Sequence, residues 1–209
     1  MANDQALELT PPPSRFVVGI DLGTTNSALC YVDTAHSPWR IQVLDIPQFV
    51  AAGQIEARPT LPSFHYQPPV NQVAPLPVPP PFDWPRPYVV GQWARDAADS
   101  PGRVIASAKS WLCHSGVDRT ARLLPWQPAD DVSRISPVEA SSRYLAHLRS
   151  VWNRRFPSHP LEAQDVVLTL PASFDEVARE LTVQAAAAAG LARVVLIEEP
   201  QAAFYAWIY

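Results

Sequence analysis

Apolar and polar positions fall into blocks along the chain, and the blocks predict both strands and helices. Phe16, Val17, Val18 and Ile20 are β-formers in a short run that stops at Asp21 and breaks into Gly23, Thr24, Thr25, Asn26 and Ser27. A short unbroken apolar run of this kind predicts a strand buried on both faces. A second run follows from Ser27 to Asp33, then a turn near His36 to Pro38, then a third strand around Arg40 to Ile46. Three successive antiparallel strands are expected.

The second half has a different period. Ser136 to Phe156 carries helix signals: Ser136 as N-cap, Pro137 at the first helical position and Glu139 completing a capping box. Val138, Leu145, Leu148 and Trp152 then share one face, which marks a helix packed on a core. Asp165 to Leu170 predicts a strand ending in LPASF, followed by a helix from about Asp175 to Ala189 that stops at Gly190, and a strand from Val194 to Ile197. Strand, helix, strand at this spacing requires a crossover, so these two strands are expected to be parallel in one sheet. The chain belongs to the α/β class, a mixed sheet with an antiparallel meander plus a parallel βαβ unit and flanking helices. It lacks the regular alternation of a Rossmann domain.

Composition narrows the partners. The 209 residues are 47% hydrophobic with a formal charge of −4, enough apolar content for a core and no basic run for nucleic acid or an anionic membrane. Residues 1 to 14 read as a flexible polar leader ending in Pro11, Pro12 and Pro13, without the apolar core of a secretory signal; with no long apolar segment, a cytoplasmic location and no membrane contact are expected. Cys30 and Cys113 show no metal-type spacing, and the histidines are scattered, so no zinc site is expected. Seven prolines between Pro75 and Pro87 exclude helix and central strand. The stretch from about 67 to 87 therefore reads as a proline-rich insertion, a semi-rigid loop that could also serve a partner recognising such ligands.

The first block carries chemistry. Gly23 permits a tight turn in which the N–H groups of Gly23, Thr24, Thr25 and Asn26 can point at phosphate oxygens. Asp21 would repel those phosphates directly, so its natural role is to hold a hydrated Mg²⁺, which takes one or two carboxylates and keeps its waters. No G-x-x-x-x-G-K follows, so this is not a Walker loop.

The string GIDLGTTNS resembles the first phosphate motif of the actin, sugar-kinase and heat-shock ATPase superfamily, in the form used by the DnaK-like, seventy-kilodalton heat-shock chaperones. The segment VVLTLPASFDEVARELTVQAAAAAGLARVVLIEEPQAAFYAW is similar to a characteristic run of the same chaperones along its full length. RPTLPSFHY and YVVGQWARD resemble shorter elements between them. The resemblance implies the first lobe of an actin-like (ribonuclease H-like) ATPase domain over residues 15 to 209, with ATP or ADP and Mg²⁺ as ligands. It implies that Lys109, in a helical stretch near Val104 to Leu112, is the catalytic lysine, that Glu199 organises metal-bound and attacking waters, and that Asp21 completes the catalytic set. It further implies that Pro171 and Arg179 relay the state of the nucleotide. Departures mark a divergent member: Gln201, Ser173, Phe204, Tyr205, Ile208 and Tyr209 differ from the usual residues.

No second phosphate turn of the D-L-G-G-G-T type occurs in the sequence, nor a substrate-binding domain. A fragment is expected, whose full-length parent hydrolyses ATP to control binding of unfolded polypeptide with co-chaperones, while one lobe alone is weak or inactive. Two alternatives stand beside it: a small-molecule kinase of the same superfamily, and a non-catalytic interaction module.

Overall fold

A computed structural model describes residues 14–69 and 86–208. The leader up to residue 13 and the proline-rich stretch from 70 to 85 lie outside the described residues.

The main sheet is built around β1 (Phe16–Leu22), which turns back into β2 (Asn26–Asp33), with β3 (Gln42–Val43) beyond it. A hairpin of β4 (Ile46–Ala51) and β5 (Gln54–Arg58) follows, closed by Gly53 at φ 72°. Then come β6 (Leu61–Pro62), which pairs with β2, and β7 (Phe64–Tyr66). β8 (Val89–Val90), α1 (Gln92–Asp96), β9 (Val104–Ala106) and α2 (Ala108–Trp111) make up the middle of the chain. A small antiparallel sheet has the order β8-β7-β9.

The long helix α3 (Pro137–Arg155), β10 (Asp165–Leu170), α4 (Glu176–Ala188), β11 (Val194–Glu198) and α5 (Glu199–Ile208) complete the chain. In the main sheet the order is β11-β10-β1-β2-β3. β1 is antiparallel to β2 and parallel to β10, which is parallel to β11. This mixed α/β sheet with flanking helices has the antiparallel meander and parallel βαβ unit expected from the sequence.

Burial alternates along β1. Phe16, Val18, Ile20 and Leu22 are buried while Val17 and Asp21 are exposed, so the strand is covered on one face and not on both, as its unbroken apolar run had suggested. The covered face packs against α3, where Phe16 meets Trp152 edge-to-face at 5.3 Å, and Leu145, Leu148 and Trp152 are fully buried. Burying such side chains stabilises by about 1.5–3 kcal/mol each, which fixes the register of the whole sheet.

Local signals set the helix ends. Ser136 Oγ accepts the N–H of Glu139 at 3.1 Å, but the Glu139 carboxylate turns to Arg143 at 2.7 Å, so half of the capping box forms. A guanidinium four residues on offers a charged partner that the Ser136 N–H cannot match. Asp175 caps α4 by accepting from Ala178 N at 2.7 Å, and Gly190 ends that helix at φ 86°.

Two element boundaries differ from expectation. The third strand is only Gln42–Val43, because after Leu44, whose N–H still donates to Leu29 O at 2.9 Å, the chain leaves the sheet to form the β4–β5 hairpin. The stretch from Val104 to Leu112 is a strand and then one helical turn, since Val104 and Ile105 pair with β7 before Ser107, at φ 54°, turns the chain.

Candidate functional site

The carboxyl ends of β1, β10 and β11 lie side by side, and the residues singled out in the sequence gather along that edge. Asp21 stands opposite Thr169 in the β1–β10 register, and Thr169 Oγ1 donates to Asp21 Oδ1 at 2.7 Å. That bond fixes one carboxylate oxygen and leaves the exposed group open to a water or a cation.

Directly after β1 comes the turn. A Cβ on Gly23 would come within 2.1 Å of Asn26 O, so only glycine fits there. Thr24, Thr25 and Asn26 are exposed. The N–H groups of Thr24 and Thr25 donate to no backbone acceptor among the described residues. The turn is held from behind by Ser63, whose N–H donates to Thr25 O at 2.8 Å and whose Oγ donates to Gly23 O at 2.7 Å. Ser27 Oγ lies 3.0 Å from Ser63 Oγ and supplies its own proton there, since that of Ser63 is engaged. The back of the turn is thus tied down by hydroxyls while its front presents N–H donors, an arrangement suited to an anion.

Lys109 occupies α2 with a side chain only 4% exposed, and its Nζ donates to Glu199 Oε1 at 2.6 Å. The ammonium also lies 5.7 Å from the centroid of the Phe174 ring. Glu199 opens α5 and is 42% exposed, so the pair is dry on the lysine side and wet on the glutamate side.

The other two predicted residues connect to the same place. Phe174 N donates to Pro171 O at 3.1 Å, Arg179 Nε donates to Phe174 O at 3.3 Å, and Arg179 Nη2 reaches Glu198 Oε1 at 2.7 Å. Pro171, Arg179, Glu199 and Lys109 therefore form one connected group through Phe174 and Glu198. Asp21 and the turn form a second, joined to the first among the described residues by the β10–β11 backbone ladder and by no side-chain hydrogen bond or ion pair.

Four contributors escaped the sequence reading: Ser63, Thr169, Phe174 and Glu198. Thr169 was signalled by its place on the open side of an alternating strand. Ser63 sits within RPTLPSFHY, but its contact with a turn forty residues earlier has no local signature. Glu198 could have been paired with Arg179 only once β11 was laid beside β10.

Among the described residues no three His, Cys, Asp or Glu gather as metal ligands. The donors present suit Mg²⁺, which is held by one or two carboxylates with water completing its shell. Asp21 would hold it through water, and the glycine turn would receive the phosphates it accompanies.

Comparison with known proteins agrees with the fold. The family model described as Hsp70 protein matches residues 122–207. The chain is 30% identical over 217 residues to the chaperone protein HscA homolog of Mannheimia succiniciproducens, and 31% and 32% identical over 219 residues to the chaperone proteins HscA of an Enterobacter species and of Salmonella agona. Each alignment takes in 98% of this chain and 30% of the relative, so the chain spans under a third of the length of these relatives. Among the described residues no helix is long and apolar enough to cross a membrane. Together with the mixed sheet and the glycine turn at the end of its central strand, these matches support a divergent member of the Hsp70 family.

Proposed function

We propose that residues 15–209 are the first lobe of the ATP-binding domain of a DnaK-like chaperone, preceded by a leader (1–14) and interrupted by a proline-rich insertion at about 67–87. The observation that carries this reading is the shared edge. A turn with free N–H donors, a carboxylate oriented by Thr169 and a buried ammonium all stand at the carboxyl ends of parallel strands, where open α/β sheets bind ligands.

Bound ATP·Mg²⁺ would supply the phosphoryl group and the neutralising metal charge. Gly23, Thr24, Thr25 and Asn26 orient the phosphates through backbone N–H groups, and Asp21 accepts hydrogen bonds from metal-bound water. Lys109 offsets negative charge at the phosphates, where a positioned cation acts most strongly out of water. Glu199 orients a water and accepts its proton. Pro171 and Arg179, tied to Glu198 and through it to the start of α5, relay the occupancy of the site. In a longer protein this would control binding of unfolded polypeptide in concert with co-chaperones, in the cytoplasm, and the proline-rich insertion offers a second partner site. The residues here form one wall, so affinity for ATP should be low.

The test is a ¹⁵N-resolved NMR titration of the 209-residue chain with ATP and Mg²⁺. Shifts should centre on Gly23 to Asn26, Lys109 and Glu199, with a midpoint near about 1 mM, equivalent to about −4 kcal/mol, and Asp21→Asn should remove the Mg²⁺-dependent part. Micromolar binding would overturn the one-wall reading, and shifts centred elsewhere would overturn the site.

A further inference from the structure

The single turn that carries Lys109 cannot hold itself. α2 has four residues, is entered through Ser107 at φ 54° and has no side-chain cap, and closing one helical turn fixes about six dihedral angles for one hydrogen bond. Its position is therefore set by what it packs against. Leu112, at its end, is fully buried and belongs to a small second core with Leu170, Phe174, Ala178 and Leu181, apart from the larger one between α3 and the main sheet. Phe174 reaches from that core to Lys109, whose ammonium lies over its ring, 5.7 Å from the centroid.

Phe174 is itself fixed on both sides. Its N–H donates to Pro171 O at 3.1 Å and its carbonyl accepts from Arg179 Nε at 3.3 Å. The next residue, Asp175, caps α4 and takes both Nη atoms of Arg119, at 2.8 and 2.9 Å. Glu199, the other partner of the ammonium among the described residues, is 42% exposed and free to turn towards water or a ligand. The ring is the partner that stays in place.

A ring suits a cation that has to meet phosphate. An ammonium has three N–H donors, and one goes to Glu199 Oε1 at 2.6 Å. The negative face of the ring attracts the cation, leaves the other two donors to a ligand and carries no net charge that would repel phosphate oxygens. A second carboxylate in its place would take a donor and repel the phosphates. An aliphatic side chain would keep the pocket dry and return nothing for the water that Lys109 has lost.

We propose that Phe174 is a positioning residue for Lys109: it seats the turn of α2 through Leu112 and holds the ammonium with its ring, so that the cation is set before a nucleotide arrives. The proposal rests on the reading of Lys109 as the cation that faces the phosphates. It adds a part for the second core, which ties the place of that cation to the Pro171–Arg179 segment.

Lys109 is the only lysine in the sequence, so a chain grown with lysine labelled at Nζ gives one side-chain ammonium signal. Phe174 is replaced by monofluorophenylalanine and by trifluorophenylalanine, which nearly keep its shape while weakening the negative face of the ring. Hydrogen exchange of the ammonium passes through the neutral amine, so a weaker hold on the cation speeds it. Exchange in the free chain should quicken in step with fluorination, by about tenfold in the trifluorinated chain, with the amide protection of α4 unchanged. In a titration with ATP and Mg²⁺, the Lys109 signal and the amides of Gly23 to Asn26 should move together in the parent, with a midpoint about threefold higher in the trifluorinated chain. Equal exchange across the series, or loss of α4 protection in step with it, would overturn the proposal. A midpoint unchanged by fluorination would overturn the positioning role and leave the phosphate turn standing, whereas a parent in which neither Lys109 nor the turn responds to ATP would remove the nucleotide site and this proposal with it.

Discussion

Glu199→Ala should destabilise the chain more than Lys109→Met, although both remove the same ion pair. The difference follows from burial. Lys109 is 4% exposed, so removing its acceptor leaves an ammonium in a dry pocket with only the Phe174 ring, among the described residues, for compensation. Breaking a fully buried pair from one side costs about 3–5 kcal/mol. Since Glu199 is 42% exposed, water can enter once its carboxylate is gone, and about 2 kcal/mol is the expected loss. In Lys109→Met the apolar stem is retained and the orphaned carboxylate already touches solvent, so the loss should stay below about 1 kcal/mol. For a chain of this size these figures correspond to a fall in Tm of roughly 4–8 °C against one of at most about 4 °C. Denaturant titration and calorimetry of the two single variants and the double variant at pH 7 provide the assay. The double variant should be more stable than Glu199→Ala alone, because removing the stranded charge relieves its cost. Equal losses in the two single variants, or a double variant less stable than Glu199→Ala, would refute the picture of a pair dry on one side only.

Acid should weaken the fold through its buried histidines. Burial pushes the pKa of His147, whose Nε2 lies 2.9 Å from Pro47 O, down to about 4, and burial followed by the nearby Arg143 charge holds His65 well below its ordinary value. Both rings are neutral in the folded chain but take up protons in the unfolded chain near pH 6.5, so their stability is complete above that pH and is lost as pH falls towards the folded value; His147 alone accounts for about 3 kcal/mol between pH 6.5 and 4. Denaturation midpoints at pH 7, 6 and 5 should fall, and His147→Gln should flatten the slope; a slope unchanged by that substitution would count against the assignment. Ser63→Ala should loosen the glycine turn, since it strips Gly23 O of its donor and leaves the buried Ser27 hydroxyl without its acceptor, at a cost of about 1–3 kcal/mol. Hydrogen exchange at Thr24 to Asn26 should quicken while α3 keeps its protection, and unchanged exchange in the turn would refute the tether.

What could be read in advance was what the chain encodes locally. The β1 run broken by Gly23, the Ser136–Pro137 entry to α3 and the Gly190 stop of α4 carry their own punctuation, and strand, helix and strand near the end leave few alternatives to a parallel pair. What escaped was non-local or short. β7, β8 and β9 have two or three residues each, too few for a period, and find one another across tens of residues. Lys109 and Glu199 were both picked out by resemblance, but their bond spans ninety positions and depends on how α2 meets the start of α5. The alternation of burial along β1 was hidden because Val17, on the open side, is as apolar as Val18 on the closed side. Composition does not distinguish a strand covered twice from one that still has an apolar face to cover.

The central position of β1 also governs the order of events during synthesis. Its antiparallel neighbour β2 follows within a few residues, but its parallel neighbour begins at Asp165, opposite Val17 and 148 positions later. At about 5–20 residues per second a ribosome needs roughly 7–30 s to make that stretch. Throughout that interval Phe16 to Leu22 has a partner on one edge only, and its other row of N–H and C=O groups is open to any strand nearby. The nascent chain thus passes through a vulnerable half-sheet, which closes only once β10 and β11 have been made.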